Sequence, residues 1–387
     1  MSGAAAVTIA AGNYVAFARV LARSLAEHHP EVPLHLLLAD APAALPERGR
    51  EPFVVWDLAE VVPGWRELAF RLPLADLVAA VKPHALRHLL RRGHERVVYL
   101  DSDILVLDRL TPVLEPPGEA AIALVPHLLA PPEGSDRIGR ELGILRAGTF
   151  NAGCLGVARG AAAEAFLDWW AERLRESCRI DAGAGLHRDQ RWLDLAPGLF
   201  RDVAVVRDPR IGVAYWNLEE RRGTAPRFVH FSGFDPGVPT AVSRHVPGRT
   251  VAAAGGAGAL FLDYARRLAA AGVGDTFERP VAFDRFANGV AVPLPARWAH
   301  ADLGAGAAAH GDPFRTEAGS FYEWLRTPPA ERALPPLWRA VYARRPDLWR
   351  AFPDVDGRDR PAFAAWTAAH GRAEHDVPPE LAGCPPG

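Results

Sequence analysis

Short apolar runs alternate with amphipathic stretches along most of the chain, and this alternation limits its possible folds more than any other feature. An apolar run of roughly four to eight residues predicts a strand, and apolar residues three or four apart predict a helix. The predicted strands are residues 7–11, 34–39, 53–57, 96–100, 120–125, part of 148–157 and 227–231, and the predicted helices are 15–29, 84–92, 166–178 and 260–271. Strands that alternate with helices are typical of a largely parallel sheet. We therefore expect an α/β fold.

Two aspartates follow the predicted strand 96–100, within RVVYLDSDILVL. Since side chains two apart in a strand share a side, Asp101 and Asp103 are expected to direct both carboxylates to one point. Paired oxygen ligands suit Mg²⁺ or Mn²⁺, which also take phosphate oxygens from a substrate. In open α/β sheets, ligands bind outside the carboxyl ends of the strands, where this pair would lie. The alternative is a polar turn between two strands.

A histidine leaves another apolar strand, within FVHFSGFDP. His230 provides an imidazole, and the Ser-Gly pair after it allows the backbone to approach a ligand closely. An imidazole beside two carboxylates is compatible with Mn²⁺. A histidine satisfied by loop carbonyls is the alternative.

Charge and cysteine usage exclude several classes of protein. The formal net charge of −2 favours neither nucleic acid nor an anionic membrane as a partner. No apolar run approaches the roughly 20 residues that span a bilayer, and the N-terminus lacks the basic region of a signal peptide. Cys154, Cys178 and Cys384 form neither a disulfide framework nor a zinc pattern. We expect a cytoplasmic protein without an integral membrane segment.

Six segments, taken in their order, resemble the nucleotide-diphospho-sugar transferases of the GT-A fold, in particular the glycosyltransferase family 8-like group. They are VTIAAGNYVAFARVLARSL, AVKPHALRHLL, VVYLDSDILV, TFNAGCLGV, DQRWLDL and HFSGFDP, and they cover roughly residues 7–236. The resemblance implies a Rossmann-like, mixed but mostly parallel sheet flanked by helices. It also implies a metal-dependent transfer of a sugar from a nucleotide diphosphate, most often UDP, with retention of anomeric configuration.

The resemblance assigns the metal ligands. Asp101 and Asp103 match the D-x-D pair of the family, and His230 matches its third ligand. Gly233 and the loop after it would lie near the donor phosphates. In the family a lysine usually follows the His-x-x-Gly, whereas this chain has Asp235 there. This departure puts phosphate clamping by the loop in doubt.

The resemblance also assigns the rest of the donor site. Tyr14, in the turn after the first strand, would stack on the base; a role in closing the core is the alternative. Asp189 and Gln190 match the pair that the family places beside the anomeric carbon, and they are the candidate catalytic residues. The other expected donor contacts are Ala10, Ala11, Asn13, Asp40, Ser102, Asn151, Ala152 and Gly153.

Lys82 is the only lysine of the chain. It precedes Pro83, a residue that suits the first turn of a helix. A cation at the start of a helix near the metal is able to pair with a diphosphate, and the helix N-terminus adds to this attraction. A surface lysine is the alternative.

The expected domain organisation has three parts. Residues 1–245 form the nucleotide-sugar-binding catalytic domain, 246–258 a Gly- and Ala-rich linker, and 259–387 a mostly helical accessory region. The expected partners are a nucleotide sugar and an acceptor that is a glycan, a metabolite or a protein, with no nucleic acid.

Two other functions stay open. A sugar-1-phosphate nucleotidylyltransferase would share the fold and the metal carboxylates. It would also carry a Gly-rich loop with Arg or Lys after the first strand, where this chain reads AAGNYVAF. A non-catalytic sugar- or partner-binding protein would keep the fold without the reaction.

Overall fold

The computed structural model describes residues 3–116, 118, 120–329 and 334–383, so Cys384 lies outside the described part. The chain forms two compact units. The first comprises Met1–Pro63 and Asp76–Arg279, and the second comprises Gly64–Ala75 and Pro280–Gly387. The predicted catalytic domain, linker and accessory region have other bounds, and as functional divisions they stay a prediction.

The described residues form twelve strands. They are β1 (Ala4–Ala10), β2 (Leu34–Leu38), β3 (Val54–Asp57), β4 (Arg96–Leu100), β5 (Ile104–Val106), β6 (Ile122–Pro126), β7 (Phe150–Ala158), β8 (Ile180–Asp181), β9 (Leu186–His187), β10 (Val203–Val205), β11 (Val213–Ala214) and β12 (Phe228–His230).

The α-helices of the described residues are mostly short. They are α1 (Val15–His28), α2 (Leu58–Val61), α3 (Trp65–Arg71), α4 (Leu74–Ala80), α5 (Lys82–Arg91), α6 (Thr111–Leu114), α7 (Arg137–Ala147), α8 (Ala161–Ser177), α9 (Gln190–Leu193), α10 (Ala196–Leu199), α11 (Gly258–Ala270), α12 (Val273–Thr276), α13 (Leu294–Leu303), α14 (Phe321–Arg326), α15 (Pro336–Tyr342), α16 (Pro346–Ala351), α17 (Arg360–Trp366) and α18 (Arg372–Glu374). No helix within these described segments has both the length and the apolar character of a membrane span.

Seven strands form the central sheet of the first unit, in the order β10-β6-β7-β4-β1-β2-β3. β1 pairs in parallel with β2 and β4, β2 with β3, and β6 with β10, whereas β7 is antiparallel to β4 and β6. Parallel neighbours need crossover connections, which are usually helical, and α1 provides one between β1 and β2. The sheet is mixed but mostly parallel and flanked by helices, which confirms the predicted fold class.

A second, smaller sheet has the order β11-β12-β5. β12 is antiparallel to β5, with His230 opposite Ile104, and parallel to β11. Only residues 101–103 separate β4 from β5, so the chain passes directly from the central sheet to the small one. The predicted strand 227–231 corresponds to β12, and β5 is the second strand of the alternative in which a polar turn follows the strand 96–100.

α1 packs into two hydrophobic clusters. Leu21 and Leu25, which share one face as predicted, pack with residues of the central sheet. Phe17 packs in a second cluster with Phe231, which follows β12, and with Tyr264 of α11. The rings of Phe231 and Tyr264 stack with centroids 3.9 Å apart. α1 and α11 therefore fix the end of β12, where His230 lies.

The second unit is mainly helical in its described residues. Arg297 of α13 is buried, and its guanidinium donates to the carbonyl oxygens of Ala69, Phe70 and Phe283. It also pairs with Asp284 at 3.0 Å. A buried charge needs such partners, so Arg297 joins separate segments of this unit.

Candidate functional site

The two predicted metal-binding aspartates lie in a turn between the two sheets. β4 ends at Leu100, and the N–H of Asp101 donates to the carbonyl of Gly153 at 2.8 Å. The N–H of Ile104 then donates to the carbonyl of Asp101 at 3.2 Å, which closes the turn. The expectation that strand alternation aligns the carboxylates is therefore wrong in its reason. A tight turn brings Asp103 beside Asp101.

His230 reaches this turn from the small sheet. It is the last residue of β12, and the N–H of the next residue, Phe231, donates to the carbonyl of Asp103 at 2.9 Å. Its Nε2 lies 3.1 Å from Oδ1 of Asp103 and 3.6 Å from Oδ2 of Asp101. One ligand atom from each of the three residues lies within 4.8 Å of the others. We call Asp101, Asp103 and His230 the metal cluster.

The electrostatics of the metal cluster favour a bound cation. Burial acts to raise the pKa of Asp101, but Lys82 and His230 together hold this pKa below its ordinary value. Burial acts to lower the pKa of His230, but the carboxylates of Asp103 and Asp101 raise it above its ordinary value. Two carboxylates and one imidazole suit Mn²⁺ and, through the oxygens, Mg²⁺. The residues present therefore fit a divalent metal.

Gly153 leaves the space that the metal cluster needs. A Cβ at this position would lie 2.5 Å from both Oδ2 of Asp101 and Cε1 of His230, and 2.9 Å from Oδ1 of Asn151. Such distances are too short for any side chain in a close-packed interior. Glycine at 153 therefore lets β7 pass directly beside the ligands.

Asn151 holds the imidazole in place. Its Nδ2 lies 3.1 Å from Nδ1 of His230, and its Oδ1 accepts a hydrogen bond from the N–H of Gly153 at 2.9 Å. This contact fixes the ring so that Nε2 faces the carboxylates of Asp101 and Asp103. The predicted contact of Asn151 with sugar hydroxyls stays a prediction.

Lys82 is buried at the start of α5, so the alternative of a surface lysine is wrong. Its Nζ lies 2.8 Å from Oδ2 of Asp189 and 3.4 Å from Oδ1 of Asp101, and it donates to the carbonyl of Ala152 at 3.0 Å. An ammonium has three donors, and three oxygens surround this one. A direct contact with a diphosphate would require Lys82 to give up one of them.

Tyr99 completes the support of Asp101. Its hydroxyl donates to Oδ1 of Asp101 at 2.6 Å, and its ring lies 4.5 Å from Nζ of Lys82. Burial raises the pKa of Tyr99 well above its ordinary value, so the hydroxyl keeps its proton. Oδ1 of Asp101 is thus held by Tyr99 and Lys82, which leaves Oδ2 beside His230.

The candidate catalytic pair lies next to this network. Asp189 is buried, and its carbonyl accepts a hydrogen bond from Nε1 of Trp170 at 3.2 Å. Oε1 of Gln190 accepts from the N–H of Ala152 at 3.2 Å, and its Nε2 donates to the carbonyl of Ala147 at 2.9 Å. One polar atom of Gln190 therefore holds the backbone of β7 at Ala152, and the other holds the end of α7 at Ala147.

The turn Gly12–Tyr14, which we call the nucleoside turn, follows β1 at the edge where β4 also ends. Oδ2 of Asp40 accepts from the N–H of Gly12 at 3.0 Å, so the carboxylate of Asp40 fixes the turn. The ring of Tyr14 stacks on Phe17 with centroids 4.6 Å apart. Oδ1 of Asn13 is buried and has no hydrogen-bond partner among the described residues.

The remaining expected donor residues surround these groups. Ala10 and Ala11, at the end of β1, are buried, as is Ser102 between the two aspartates. Gly233, three residues after His230, has φ +70°, a conformation that favours glycine. Their predicted contacts with a donor stay predictions.

Comparisons with known proteins give distant likenesses. No family model matches the chain. An uncharacterised protein of Bacillus subtilis (strain 168), YfnF, is 27% identical over 172 residues, which cover 40% of this chain and 55% of that protein. The match thus spans about half the length of this relative, and it brings no function with it.

Several solved structures similar to this chain are glycosyltransferases. The galactosyltransferase LgtC, in complex with donor and acceptor sugar analogs, has a TM-score of 0.41 and 19% identity, over 68% of this chain and 95% of that one. The glycosyltransferase GlyE of Streptococcus pneumoniae TIGR4 has a TM-score of 0.42 and 16% identity, over 73% of this chain and 67% of that one. The bifunctional glycosyltransferase WbbM has a TM-score of 0.43 and 14% identity, over 69% of this chain and 50% of that one. These likenesses are weak and assign no function to this chain.

Two residues of the site were missed in the sequence. Tyr99 lies two positions before Asp101, and this spacing on a strand was a usable signal for a shared side. Arg244 interacts with the hydroxyl of Tyr14. Its position in a loop, far from any predicted element, gave no signal.

Proposed function

We propose that the chain is a metal-dependent glycosyltransferase that moves a sugar from a nucleotide diphosphate, in the first instance a UDP-sugar, to an acceptor. The observation that carries the proposal is the meeting of Asp101, Asp103 and His230, within 4.8 Å, at the carboxyl edge of the central sheet. Ligand crevices of α/β sheets lie at this edge. A glycosyltransferase of the family 8-like group needs such a cluster beside a nucleoside pocket.

The metal cluster would hold Mn²⁺ or Mg²⁺. A bound cation would neutralise charge that develops on the diphosphate as its bond to the sugar breaks. The protein keeps the ligands in place before the donor arrives: Asn151 orients His230, and Tyr99 orients Asp101. Preorganised ligands need little rearrangement during the reaction.

The nucleoside turn would bind the base. The unpaired Oδ1 of Asn13 is an acceptor for the ring N–H that uracil and guanine present. A buried acceptor without a partner is costly, so a bound base would relieve this cost. Since Phe17 covers one face of Tyr14, a base would contact the other face or the edge of its ring.

Asp189 is the proposed catalytic carboxylate. Lys82 holds it at 2.8 Å, and the same ammonium donates to the carbonyl of Ala152 in β7, which fixes the carboxylate of Asp189 beside this backbone. An anion at this place would stabilise positive charge on the anomeric carbon, and we propose transfer with retention. Gln190 acts as a positioning residue, because both ends of its amide hold backbone groups. The cytoplasmic location and an acceptor among glycans, metabolites and proteins stay parts of the proposal.

The test is donor hydrolysis. Purified protein is incubated with a panel of UDP- and GDP-sugars with Mn²⁺ or Mg²⁺, and the released nucleoside diphosphate is measured. We expect hydrolysis of a UDP-sugar that is lost with EDTA and in Asp103→Asn, but kept in Asp202→Asn, which changes an exposed carboxylate. Formation of a nucleotide sugar from a sugar 1-phosphate and a nucleoside triphosphate would instead identify a nucleotidylyltransferase. Nucleotide binding without turnover would favour a binding protein.

A further inference from the structure

Residues 243–245, which we call the covering loop, lie against the loop that follows His230. The N–H of Arg244 donates to the carbonyl of Gly233 at 2.9 Å, and the hydroxyl of Ser243 donates to the carbonyl of Ser232 at 2.8 Å. A Cβ on Gly233 would lie 2.6 Å from Cδ2 of His245. The covering loop is thus fixed to the segment that delivers His230 to the metal cluster.

The covering loop places a cation, Arg244, between the nucleoside turn and the metal cluster. The side chain of Arg244 lies close enough to the hydroxyl of Tyr14 in the nucleoside turn to oppose the rise in the Tyr14 pKa that burial causes. Burial raises the pKa of Tyr14, and the charge of Asp103 in the metal cluster raises it further. Burial lowers the pKa of His245, and the charge of Asp103 opposes that fall. A donor diphosphate joins a nucleoside to a metal-bound group, so its path runs between these residues.

The side chain of Arg244 is also available to a ligand. It is exposed, in contrast to Lys82, whose ammonium is buried among oxygens. Asp235, which stands where the resembled family has a lysine, has the opposite charge and interacts with Tyr14 as well. An arginine is well suited to phosphate because its planar fork donates two parallel hydrogen bonds.

We propose that Arg244 is the donor-binding cation of this chain and contacts the diphosphate in place of the loop lysine that Asp235 replaces. This inference rests on the proposed function, since it concerns the same donor. It assigns the diphosphate contact to the covering loop and leaves Lys82 to hold Asp101 and Asp189. Asp235, on the same side, would set the net charge that the diphosphate meets.

The test is calorimetric titration of UDP into the full chain with Mn²⁺. Compared with wild type, Arg244→Ala should bind UDP about 10- to 100-fold more weakly, because a charged hydrogen bond is lost. Arg244→Lys should fall between the two, since it keeps the charge without the fork. Mn²⁺ titrated alone should bind Arg244→Ala as it binds wild type. Arg222→Ala, which removes another exposed arginine, is the matched control and should bind UDP as wild type does.

A second variant separates charge from structure. Adding Asp235→Lys to Arg244→Ala should recover most of the UDP affinity, and thermal unfolding should show both variants folded. Wild-type UDP affinity in Arg244→Ala, together with a loss in Asp103→Asn, would overturn the inference and keep the proposed function. A loss that Asp235→Lys does not recover would assign Arg244 a structural role. A wild-type protein that binds neither UDP nor GDP would overturn both.

Discussion

The metal cluster and the nucleoside turn lie at the same edge of the central sheet but are built in different ways. The metal cluster and its supports come from segments far apart in sequence, around Lys82, Asp101, Asn151, Asp189 and His230, joined by contacts of 2.6–3.6 Å. The nucleoside turn is one short segment held by Asp40, and Oδ1 of Asn13 has no hydrogen-bond partner in the part of the chain that the structure describes. The metal side is thus held together by contacts within the protein, whereas the nucleoside side leaves a buried acceptor that the proposed ligand would pair.

The largest effect that this comparison predicts is a loss of stability when the buried ion pair of Lys82 is broken. Lys82→Met removes the cation between Asp101 and Asp189 and should lower the free energy of unfolding by about 3–5 kcal/mol, because a buried charge is left unpaired. Urea unfolding measures the change. Adding Asp189→Asn should restore part of the loss. Equal stability of Lys82→Met and wild type would mean that the metal side is not rigidly assembled.

A bound metal should stabilise the same side. Mn²⁺ at 100 times its dissociation constant should raise the free energy of unfolding by about 2.7 kcal/mol, and EDTA should reverse the gain. Thermal unfolding with and without Mn²⁺ measures it. Asp103→Asn should show no gain, whereas Asp202→Asn should gain as wild type does. A gain that persists in Asp103→Asn would place the metal elsewhere.

Gly153→Ala tests the close packing of the metal cluster by adding a single methyl group. Its Cβ would overlap Oδ2 of Asp101 and Cε1 of His230 at 2.5 Å, and overpacking costs about 1–3 kcal/mol. We expect this loss of stability together with a loss of Mn²⁺ binding. Gly143→Ala in α7, whose Cβ would meet nothing within 4 Å, is the control and should be neutral or slightly stabilising. Wild-type Mn²⁺ affinity in Gly153→Ala would refute the proposed geometry.

The smallest effect is expected on the nucleoside side. Asp40→Asn should weaken the hydrogen bonds to the N–H groups of Gly12 and Ala41, at 3.0 and 2.8 Å, and should cost about 1 kcal/mol. UDP should bind more weakly while Mn²⁺ binding is unchanged, and both are measured by calorimetry. Loss of Mn²⁺ binding in Asp40→Asn would show that the two sides are not separate.

Local motifs in the sequence predicted every strand of the central sheet except β10, and they singled out the members of the metal cluster. Asp101 follows β4, Asp103 precedes β5, and His230 ends β12. A polar residue next to an apolar run is visible in a short window of sequence. The predicted strand 96–100 has the bounds of β4. Strand alternation, however, gave the wrong reason for the meeting of Asp101 and Asp103, because the turn depends on the step from β4 to β5.

The pairings between segments far apart in the chain could not be predicted from the sequence. Apolar runs mark both β5 and β12, but they pair across more than a hundred positions, and no local pattern shows this pairing. The buried setting of Lys82 and the support of His230 by Asn151 depend on the same long-range packing. A Gly- and Ala-rich composition at 246–258 likewise says nothing of the tertiary contacts that α11 makes with Phe231.

The most direct test of the metal cluster is calorimetric titration of Mn²⁺, and then of UDP, into wild type, Asp103→Asn and Asp202→Asn. We expect wild type and Asp202→Asn to bind Mn²⁺ and to bind UDP only when Mn²⁺ is present. In Asp103→Asn, Mn²⁺ affinity should fall at least about 100-fold, since loss of a residue that only orients a ligand already costs about 10- to 100-fold. UDP binding that is indifferent to Mn²⁺ and to Asp103 would contradict the account.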